Sequence, residues 1–554
     1  MLATLMPALA VTASAASSTN ITMYVARNDT AGLGGDVSID FKSSGGSYSG
    51  TLYLPGEADT SNCFLSWISD GNVTVSGGDT IYENGTAPIA PAGGSVSYTV
   101  SNGASSAKYT ITTKQGSPSV EGLFINVDES MGTISAMNGD SKHDTSCFGS
   151  LSFDGSDYYM SIKGRGNSTW EADKKPYNLT FYKKADYDKK LSVSLVDGTD
   201  AKKWSLLAND VDPSLLRNKI GLDYANELGI GLPSRFADVW LNGEYLGNYL
   251  ITPKNDYKAS DTGFVLELDN YSNSEDPQFK PDGLLEIGIS DGYYNRITVK
   301  DIGDDASIDA KGIEQWVNAA WKAIRNYNSD EYLKYIDVDS WAKMYLVYEI
   351  TKTYDSYSGS LLMHRDGTSE NDKLMAGPAW DLDNCFGRLK PKTLQFIGLL
   401  PQISADGWFV DSIGLTASNL SLSWLQELGK HKDFMARVYE IYNETTSASY
   451  NLCMNIDAQA AVLGASAEMN NAFWDYSGLF KTNYNVSAPI TIGVGAYALR
   501  YKTTNNWSDY VGNLKEYVGT RMKFFYDNLL VAMPEGSISG ETELTGGDTL
   551  KLTA

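Results

Sequence analysis

Two polar segments about 200 residues apart carry the residue types that could do chemistry. The first, GRGNSTW at 164–170, is a glycine-rich polar turn that contains an arginine and precedes the lysine-containing run KKPYNLTF. The second, GPAWDLDNCFG at 377–387, places Asp381 and Asp383 directly after an apolar run. Two carboxylates at a strand end can bind a hard cation through oxygen, and a glycine-rich turn with Arg and Lys nearby can bind an anion. Together, the two segments predict chemistry on a phosphate group with a metal ion.

The overall charge of the chain limits the partners that it can bind. Its 554 residues carry a net charge of −24 and include only three histidines. Because nucleic-acid binding depends on Lys and Arg that neutralise phosphates, we expect no nucleic-acid partner. An acidic protein that handles a nucleotide needs local cations, either basic side chains or bound metal. The scarcity of histidine argues against a His-based zinc enzyme and against a Ser-His-Asp triad.

The N-terminal residues and the cysteines bear on the cellular compartment. Residues 1–16 contain an apolar run followed by small residues in an A-x-A pattern, which predicts a signal peptide and a secreted or cell-surface protein. An ordinary buried N-terminal segment remains the alternative. No later run is long enough to span a bilayer. The four cysteines are far apart in the sequence, so we expect mostly buried free thiols, although three disulfide connectivities stay open.

The chain divides into a β-rich beginning and a longer mixed region. Residues 20–116 contain short alternating apolar runs with turn signals at roughly ten-residue spacing, which predicts an all-β sandwich of immunoglobulin or cadherin type. Residues 120–533 begin with strands and continue into helices, which predicts a two-lobed α+β domain. Residues 534–554 return to Gly/Thr-rich character and are interpreted as a linker and the start of a further β module.

Apolar periodicity within the mixed region predicts its main elements. We expect hairpins where an Asn-Gly turn joins two apolar runs at 237–252 and where SLLMHRD precedes KLMAGPAWDLD. We expect helices in the segments 214–230, 310–326, 339–353 and 507–533.

Six motifs follow one another across about 225 residues at the heart of the chain. In order they are KGRGNSTW, KKPYNLTF, KWSLLANDVDPSLLRNKIGLDYANELGI, DVWLNGEYLGNYLI, YEITKTYDSYSGS and GPAWDLDNCFG. The set resembles the CotH family of secreted atypical protein kinases, first associated with bacterial spore coats. The resemblance implies a bilobal protein-kinase-like fold that uses ATP with Mg²⁺ or Mn²⁺. Its implied partners are exported protein substrates, phosphorylated on Ser or Thr, including cell-surface or polysaccharide-associated proteins.

The resemblance also implies roles for the acidic residues. In ordinary kinases a catalytic Asp is followed five residues later by a metal-binding Asn, and a second Asp opens the next turn. Asp355 and Ser360 have that spacing, and Asp381 follows after a hairpin. We therefore assign Asp355 as the base or metal orienter, Asp381 as the main metal ligand and Asp383 as a further carboxylate. Ser360 replaces the usual Asn, which leaves a second metal ion open.

Basic and amide side chains near these motifs are the candidates for contacting ATP. Arg165 and Asn167 lie in the glycine-rich turn, and Lys175 lies just after it. The neighbouring Lys174 is expected to face the other side and be solvated. Lys300, on an alternating strand, is the second candidate lysine for the nucleotide phosphates.

A further cation and one misleading motif lie elsewhere in the mixed region. Arg217 opens a predicted helix, where it could reach phosphate or pair with a carboxylate. The triplet at 364–366 reads His-Arg-Asp, as in kinases, but it lies in a strand-like run without the downstream Asn. We therefore do not assign it a catalytic role.

Each motif also has a structural interpretation that stays open. The carboxylates of WDLD could cap backbone N–H groups, Asp355 could cap a helix, and the glycine-rich turn could be purely structural. Glu349 and Lys352, on a predicted helix end, are expected to form a solvated pair. For the whole chain, a pseudokinase or structural surface protein and a carbohydrate-associated binding module remain the alternatives.

Overall fold

A computed structural model of the chain describes most of its length. The expected signal peptide at 1–16, Asn167, Asp355 and the tail at 534–554 lie outside the described residues. The described ranges are 19–166, 168–210, 212–255, 257–268, 276–281, 296–353, 360–387, 404–410, 424–474, 489–492, 495–498 and 506–532.

The first hundred described residues form two β-sheets around one core, as the alternating runs predicted. The four-stranded sheet has the order β2-β1-β5-β8, and the six-stranded sheet has the order β3-β4-β10-β9-β6-β7. Apolar side chains from both sheets pack into one buried cluster. The immunoglobulin or cadherin type of this β domain stays a prediction. Its strands are β1 Ile21–Val25, β2 Val37–Ile39, β3 Phe41–Ser44, β4 Ser47–Leu54, β5 Phe64–Ser69, β6 Thr74–Gly77, β7 Thr80–Tyr82, β8 Ala87–Pro88, β9 Ser95–Ser101 and β10 Ser106–Gln115.

The next strands close into a seven-stranded barrel. The barrel has the order β11-β12-β13-β14-β17-β19-β18 and closes through the parallel pair β11 and β18. The elements are β11 Glu121–Val127, α1 Ile134–Gly139, β12 Ser146–Phe153, β13 Ser156–Gly164, β14 Tyr177–Tyr182, β15 Val193–Val196, β16 Thr199–Ala201, β17 Lys203–Leu207, α2 Arg217–Glu227, β18 Arg235–Leu241 and β19 Glu244–Pro253. The predicted helix at 214–230 and hairpin at 237–252 are confirmed as α2 and β18–β19. Asn242 and Gly243 in the hairpin turn both have positive φ, at 47° and 85°, as a twist-compatible two-residue turn requires.

The second half of the mixed region combines a five-stranded sheet with long helices. The sheet order is β21-β22-β20-β23-β24. The elements are β20 Phe264–Leu268, β21 Gln278–Phe279, β22 Ile297–Ile302, α3 Ala310–Ile324, α4 Val338–Thr351, β23 Leu361–Arg365, β24 Met375–Ala376, α5 Trp424–Leu428, α6 Lys432–Glu444, α7 Thr446–Trp474, β25 Pro489–Ile492, β26 Gly495–Ala498 and α8 Trp507–Ala532. The predicted helices at 310–326, 339–353 and 507–533 and the hairpin before WDLD are thereby confirmed. The chain is thus a mixed α/β protein, with the barrel preceding the helical part.

The β domain and the barrel share an apolar surface. Trp240 and Tyr245 of the barrel and Met469 of α7 belong to the same buried cluster as the β-domain side chains. The ring of Tyr53 stacks on Tyr245 with 4.9 Å between centroids. The two parts of the chain on either side of the predicted domain boundary near residue 116 therefore share a buried apolar contact.

Two further sequence expectations concern thiols and membranes. The cysteines are free, and Cys63, Cys147 and Cys385 are buried, so the expectation of mostly buried free thiols is confirmed. Across the described ranges, every helix is too short or too polar to cross a bilayer.

Candidate functional site

The loop that carries the two aspartates, residues 377–387, is held by helices on both sides. Leu382 packs on α2 at Gly221, where an added methyl carbon would lie 3.0 Å from the leucine side chain. The Cys385 thiol donates to the Arg217 carbonyl at 3.4 Å. The Phe386 N–H donates to the Thr351 carbonyl at the end of α4, at 2.7 Å. This segment, called the Asp loop below, is therefore fixed by α2 and α4.

Asp381 and Ser360 are direct neighbours. The Ser360 hydroxyl donates to Asp381 Oδ2 at 3.0 Å. Ser360 lies immediately before β23, and β23 pairs with β24 just before the Asp loop, so the hairpin brings the two residues together. Asp381 adopts a left-handed conformation with φ 60° and ψ 47°, which turns the chain into the short 3-10 helix Leu382–Asn384. Two of the three metal ligands predicted from the sequence are therefore in contact.

The glycine-rich turn between β13 and β14 reaches the Asp loop through Arg165. The guanidinium carbon of Arg165 lies 5.6 Å from the ring centroid of Trp380, next to Asp381. Burial lowers the pKa of Arg165, while Asp381 and Asp383 act in the opposite sense by favouring the charged form. Two segments about 200 residues apart in the sequence thus meet at Arg165 and Trp380, and the Arg165 guanidinium lies within the electrostatic influence of both carboxylates. Trp380 was not singled out by sequence reasoning, although its place beside Asp381 in the WDLD motif was a signal.

The two glycines of the turn have different structural roles. Gly166 has φ 86°, a conformation that side chains disfavour. Gly164 lies under the ring of Trp170, where an added methyl carbon would be 2.5 Å from the ring. The turn is therefore shaped by close packing as well as by backbone freedom.

Lys175 holds the same turn from its C-terminal side. Its ammonium donates to the Trp170 carbonyl at 2.8 Å and to the Ala172 carbonyl at 3.2 Å. It also lies 4.8 Å from the centroid of the Trp170 ring. The proposed contact of Lys175 with a phosphate would require the ammonium to leave these two carbonyls.

The other two cations that the sequence suggested have carboxylate partners. Lys300 of β22 pairs with Glu267 of β20 at 3.1 Å. Arg217 is buried at the start of α2 and pairs with Asp212 at 2.6 Å. Of the two possibilities left open for Arg217, the carboxylate pair is the arrangement present in this structure. Phosphate contacts for both residues remain proposals.

Lys174 was expected to be solvated, and that expectation was wrong. Its side chain is fully buried, with the ammonium 2.5 Å from the Asn248 carbonyl and 2.8 Å from Asn470 Oδ1 on α7. Burial lowers the pKa of Lys174 to about 7, although Asp210 and Asp238 act in the opposite sense. Asn470 is 296 residues away along the chain, so no local pattern could have indicated the contact.

The expectation of a solvated pair at Glu349 and Lys352 was also wrong. Both side chains are fully buried at the end of α4. The sequence of α4 contained a signal, since a helix that is apolar on most sides is a core helix. The run WAKMYLVYEIT is of that kind, so charged residues near its end, such as Glu349, are buried together with the helix.

The His-Arg-Asp triplet lies at the end of a strand, as the sequence predicted, and away from the Asp loop. It occupies the far end of β23 from Ser360. Six residues of extended chain correspond to about 20 Å, which separates Asp366 from Ser360. Arg365 is buried, with its guanidinium 4.3 Å from the Trp316 ring centroid.

The oxygen donors at the Asp loop fit a divalent cation that arrives with a nucleotide. Among the described residues, no group of three or more His, Cys, Asp or Glu side chains is arranged to hold a metal ion. The available donors are the carboxylates of Asp381 and Asp383 and the hydroxyl of Ser360. Mg²⁺ characteristically binds one or two carboxylates and completes its shell with phosphate oxygens and water. The donor set is of that type.

Comparison with known proteins gives a family, one relative in sequence and one solved structure that aligns with part of the chain. The family model described as CotH kinase protein matches residues 162–525. Inner spore coat protein H of Bacillus subtilis is 27% identical over 239 residues, which cover 41% of this chain and 59% of that protein. The chain thus spans about three fifths of the length of that relative. A crystal structure of a Helicobacter pylori proinflammatory kinase, CtkA, aligns with 54% of this chain and 89% of that chain, at 10% identity and a TM-score of 0.25.

Proposed function

This chain belongs to the CotH kinase protein family, and on that premise we propose that it is a metal-dependent protein kinase. The proposed reaction transfers the γ-phosphoryl group of ATP to Ser or Thr hydroxyls of an exported or surface protein. The observation that carries the proposal is the contact of Ser360 with Asp381 beside the guanidinium of Arg165. Phosphoryl transfer needs these elements, because catalysis consists mainly of positioning and of neutralising charge.

The proposal gives each residue of the Asp loop and the glycine-rich turn a task. Asp381, Asp383 and Ser360 would hold Mg²⁺ or Mn²⁺ through oxygen. The bound cation would neutralise phosphate charge and orient the leaving group. Arg165 would donate to phosphate oxygens with its planar fork, which lysine cannot imitate. The ring of Trp380 keeps the guanidinium of Arg165 on that side of the Asp loop.

Asp355 completes the proposed mechanism as the residue that orients the acceptor hydroxyl. In the transfer, the bond from the γ-phosphorus to the bridging oxygen of ADP breaks while the acceptor oxygen bonds to phosphorus. The hydroxyl proton passes to the Asp355 carboxylate. A strong base is not needed for this chemistry, so the small number of histidines does not count against it. Asn167, Lys175, Arg217 and Lys300 are the further proposed contacts to the nucleotide.

The setting of the reaction is proposed from the expected signal peptide and from the relative. The relative is named as a spore coat protein, which supports a secreted, surface or coat-associated location for this chain. The proposed acceptors are therefore exported proteins, including cell-surface or polysaccharide-associated ones.

Nucleotide binding and phosphate transfer test the proposal in sequence. Thermal shift with ATP should show stabilisation that increases with Mg²⁺ or Mn²⁺, and Asp381→Asn should remove the metal-dependent part. With γ-labelled ATP and candidate exported proteins, both Asp381→Asn and Asp355→Ala should lose the label. Asp366→Asn is the matched control, since Asp366 is exposed at the far end of β23, and it should label like the wild type.

Two outcomes would contradict the proposal. If Asp381→Asn transfers as much labelled phosphate as the wild type, the assignment of Asp381 as the main metal ligand is wrong. Nucleotide binding without label under any metal would identify a pseudokinase. The nucleotide lysine is tested separately, because Lys175→Met should weaken ATP binding. If ATP binding weakens in Lys300→Met but not in Lys175→Met, Lys300 replaces Lys175 as the lysine assigned to the nucleotide.

The tryptophans do not favour a carbohydrate-binding module. That alternative predicts exposed aromatic rings along a groove. All twelve tryptophans lie in described parts of the chain, and each is buried or half-buried. The large tryptophan content therefore serves packing in this fold.

A further inference from the structure

Three charged side chains form a buried cluster where α4 ends. Glu349 lies in the last turn of α4, Lys352 caps the helix, and Arg521 projects from α8; the side chains of all three are fully buried. Arg521 Nη2 donates to Glu349 Oε1 at 2.5 Å. Taking ions out of water costs free energy that an ion pair alone often fails to recover. The remaining partners of the cluster show what it holds in place.

Those partners are backbone groups of one short segment, residues 404–410. The Glu349 carboxylate accepts from two N–H groups of the segment, while Arg521 and Lys352 each donate to two of its carbonyls. The distances are 2.6 Å for Phe409 N and 2.7 Å for Val410 N to Glu349, 2.6 Å for Gly407 O and 3.2 Å for Ala405 O to Arg521, and 2.9 Å for Ser404 O and 2.7 Å for Asp406 O to Lys352. Because the contacts are to backbone, the path of the segment is fixed whatever its side chains.

The same two helices also hold the end of the Asp loop. The Thr351 carbonyl, between Glu349 and Lys352 in sequence, accepts from the Phe386 N–H at 2.7 Å. On α8, the Tyr517 hydroxyl donates to the Ser404 carbonyl at 3.2 Å, and the Tyr517 ring packs on Gly387. The cluster, segment 404–410 and the Asp loop are therefore parts of one connected arrangement.

Lys352 also determines where the chain leaves α4. It adopts a left-handed conformation with φ 48° and ψ 45°, which ends the helix, and its ammonium is anchored to the Ser404 and Asp406 carbonyls. Asp355 follows three residues later in the sequence. The residue that ends α4 is thus tied to segment 404–410 directly before the proposed catalytic aspartate.

We propose that Glu349, Lys352 and Arg521 are positioning residues for phosphoryl transfer, which fix the end of α4, segment 404–410 and, through the Phe386 and Tyr517 contacts, the Asp loop that carries Asp381. The inference rests on the proposed function. It assigns these residues no contact with substrate, since the side chains of all three are fully buried. Misplacing reacting groups by about 1 Å can cost about a hundredfold in rate. The cluster should therefore affect turnover far more than nucleotide affinity.

The electrostatics of Lys352 show why its two carbonyl partners matter. Burial and the neighbouring Arg521 hold the pKa of Lys352 well below its ordinary range, whereas Glu349 and Asp406 act in the opposite sense. The ammonium is stabilised by the carbonyl oxygens that it binds. Methionine has a similar length without the donors, so Lys352→Met should release segment 404–410 without a large change in side-chain volume.

The test separates turnover from nucleotide binding in the full-length protein. For Lys352→Met we expect kcat for labelled phosphate transfer to fall by about tenfold to a hundredfold, with the ATP dissociation constant within about twofold of wild type. Hydrogen exchange at the Phe409 and Val410 amides should quicken. Lys430→Met is the matched control, because Lys430 is a half-exposed lysine that pairs with Glu427 at 2.9 Å; it should change none of the three.

A milder variant decides the matter if Lys352→Met does not fold. Tyr517→Phe keeps the ring against Gly387 and removes only the hydroxyl bond to the Ser404 carbonyl. We expect it to lower kcat by about fivefold with unchanged ATP affinity, since one neutral hydrogen bond is worth about 1 kcal/mol and about 1.4 kcal/mol corresponds to a tenfold change in rate.

The outcomes separate this inference from the proposed function. An active wild type with unchanged kcat in Lys352→Met, or in Tyr517→Phe if the first variant is unfolded, overturns the positioning role alone. Equal losses of kcat and ATP affinity also overturn it, because they indicate general damage. A wild type that transfers no phosphate overturns both proposals.

Discussion

Asp238→Asn should remove a pH-dependent part of the stability of this protein. Asp238 of β18 is fully buried and accepts hydrogen bonds from Ser466 Oγ at 2.6 Å and Asn248 Nδ2 at 3.0 Å. Burial raises the pKa of Asp238 to about 6, although these hydrogen bonds and the nearby Lys174 act in the opposite sense. Asparagine has the same shape without an ionisable group. Its amide can still donate to the Ser466 hydroxyl, and its side chain occupies the same space as that of Asp238.

The sign and size of the effect follow from the two pKa values. The pKa of Asp238 in the folded state, about 6, lies above the ordinary value of about 3.9, so the folded protein binds the proton more tightly than the unfolded chain. The contribution is fully present below about pH 4 and is lost as the pH rises through about 6. On going from pH 8 to pH 5, wild type should gain about 1 kcal/mol relative to the variant. The limit at lower pH is about 3 kcal/mol.

Urea unfolding at pH 5, 6, 7 and 8 measures this difference directly. The free energy of unfolding of wild type minus that of Asp238→Asn should rise as the pH falls. Taking this difference cancels the titration of all other carboxylates. Asp154→Asn is the control, because Asp154 is exposed in the turn between β12 and β13, and its difference should stay flat. A flat difference for Asp238→Asn, or one that falls with falling pH, would refute the assignment of a proton-binding buried carboxylate.

Three other substitutions test separate parts of the structure. Arg521→Met should lower the free energy of unfolding by about 3–5 kcal/mol because it leaves a buried carboxylate without its cation; Arg437→Met, which breaks only exposed pairs, should cost less than about 1 kcal/mol in the same urea titration. Trp380→Leu should weaken ATP binding by about twofold to thirtyfold in calorimetry, because it removes the ring that holds Arg165, a contact worth about 0.5–2 kcal/mol; unchanged affinity would refute the proposed contact of Arg165 with the nucleotide. Since burial lowers the pKa of Lys174 to about 7, the stability of wild type relative to Lys174→Met should rise between pH 7 and pH 9, and a falling difference would contradict a buried amine.

The sequence was sufficient for features that are encoded locally. The period of apolar residues located α2, α3, α4 and α8, and the Asn-Gly turn located the β18–β19 hairpin, because helices and hairpins are specified by neighbours a few residues apart. The strand ending before WDLD placed two carboxylates at a turn for the same reason. Closure of the strand-rich half into a barrel was not predicted, since the parallel pairing of β11 with β18 joins segments more than a hundred residues apart.

The tertiary structure alone decided which charged residues face water and which lie buried in the interior. Lys174 and Lys352 looked like surface lysines in sequence, yet both are buried because carbonyls and amides from distant segments surround them. The contact of Arg165 with the Asp loop likewise depends on the glycine-rich turn and the β23–β24 hairpin meeting in space. The sequence determined which side chains could bind phosphate and metal. Their mutual distances and their desolvation are set by long-range packing, which no local pattern of residues encodes.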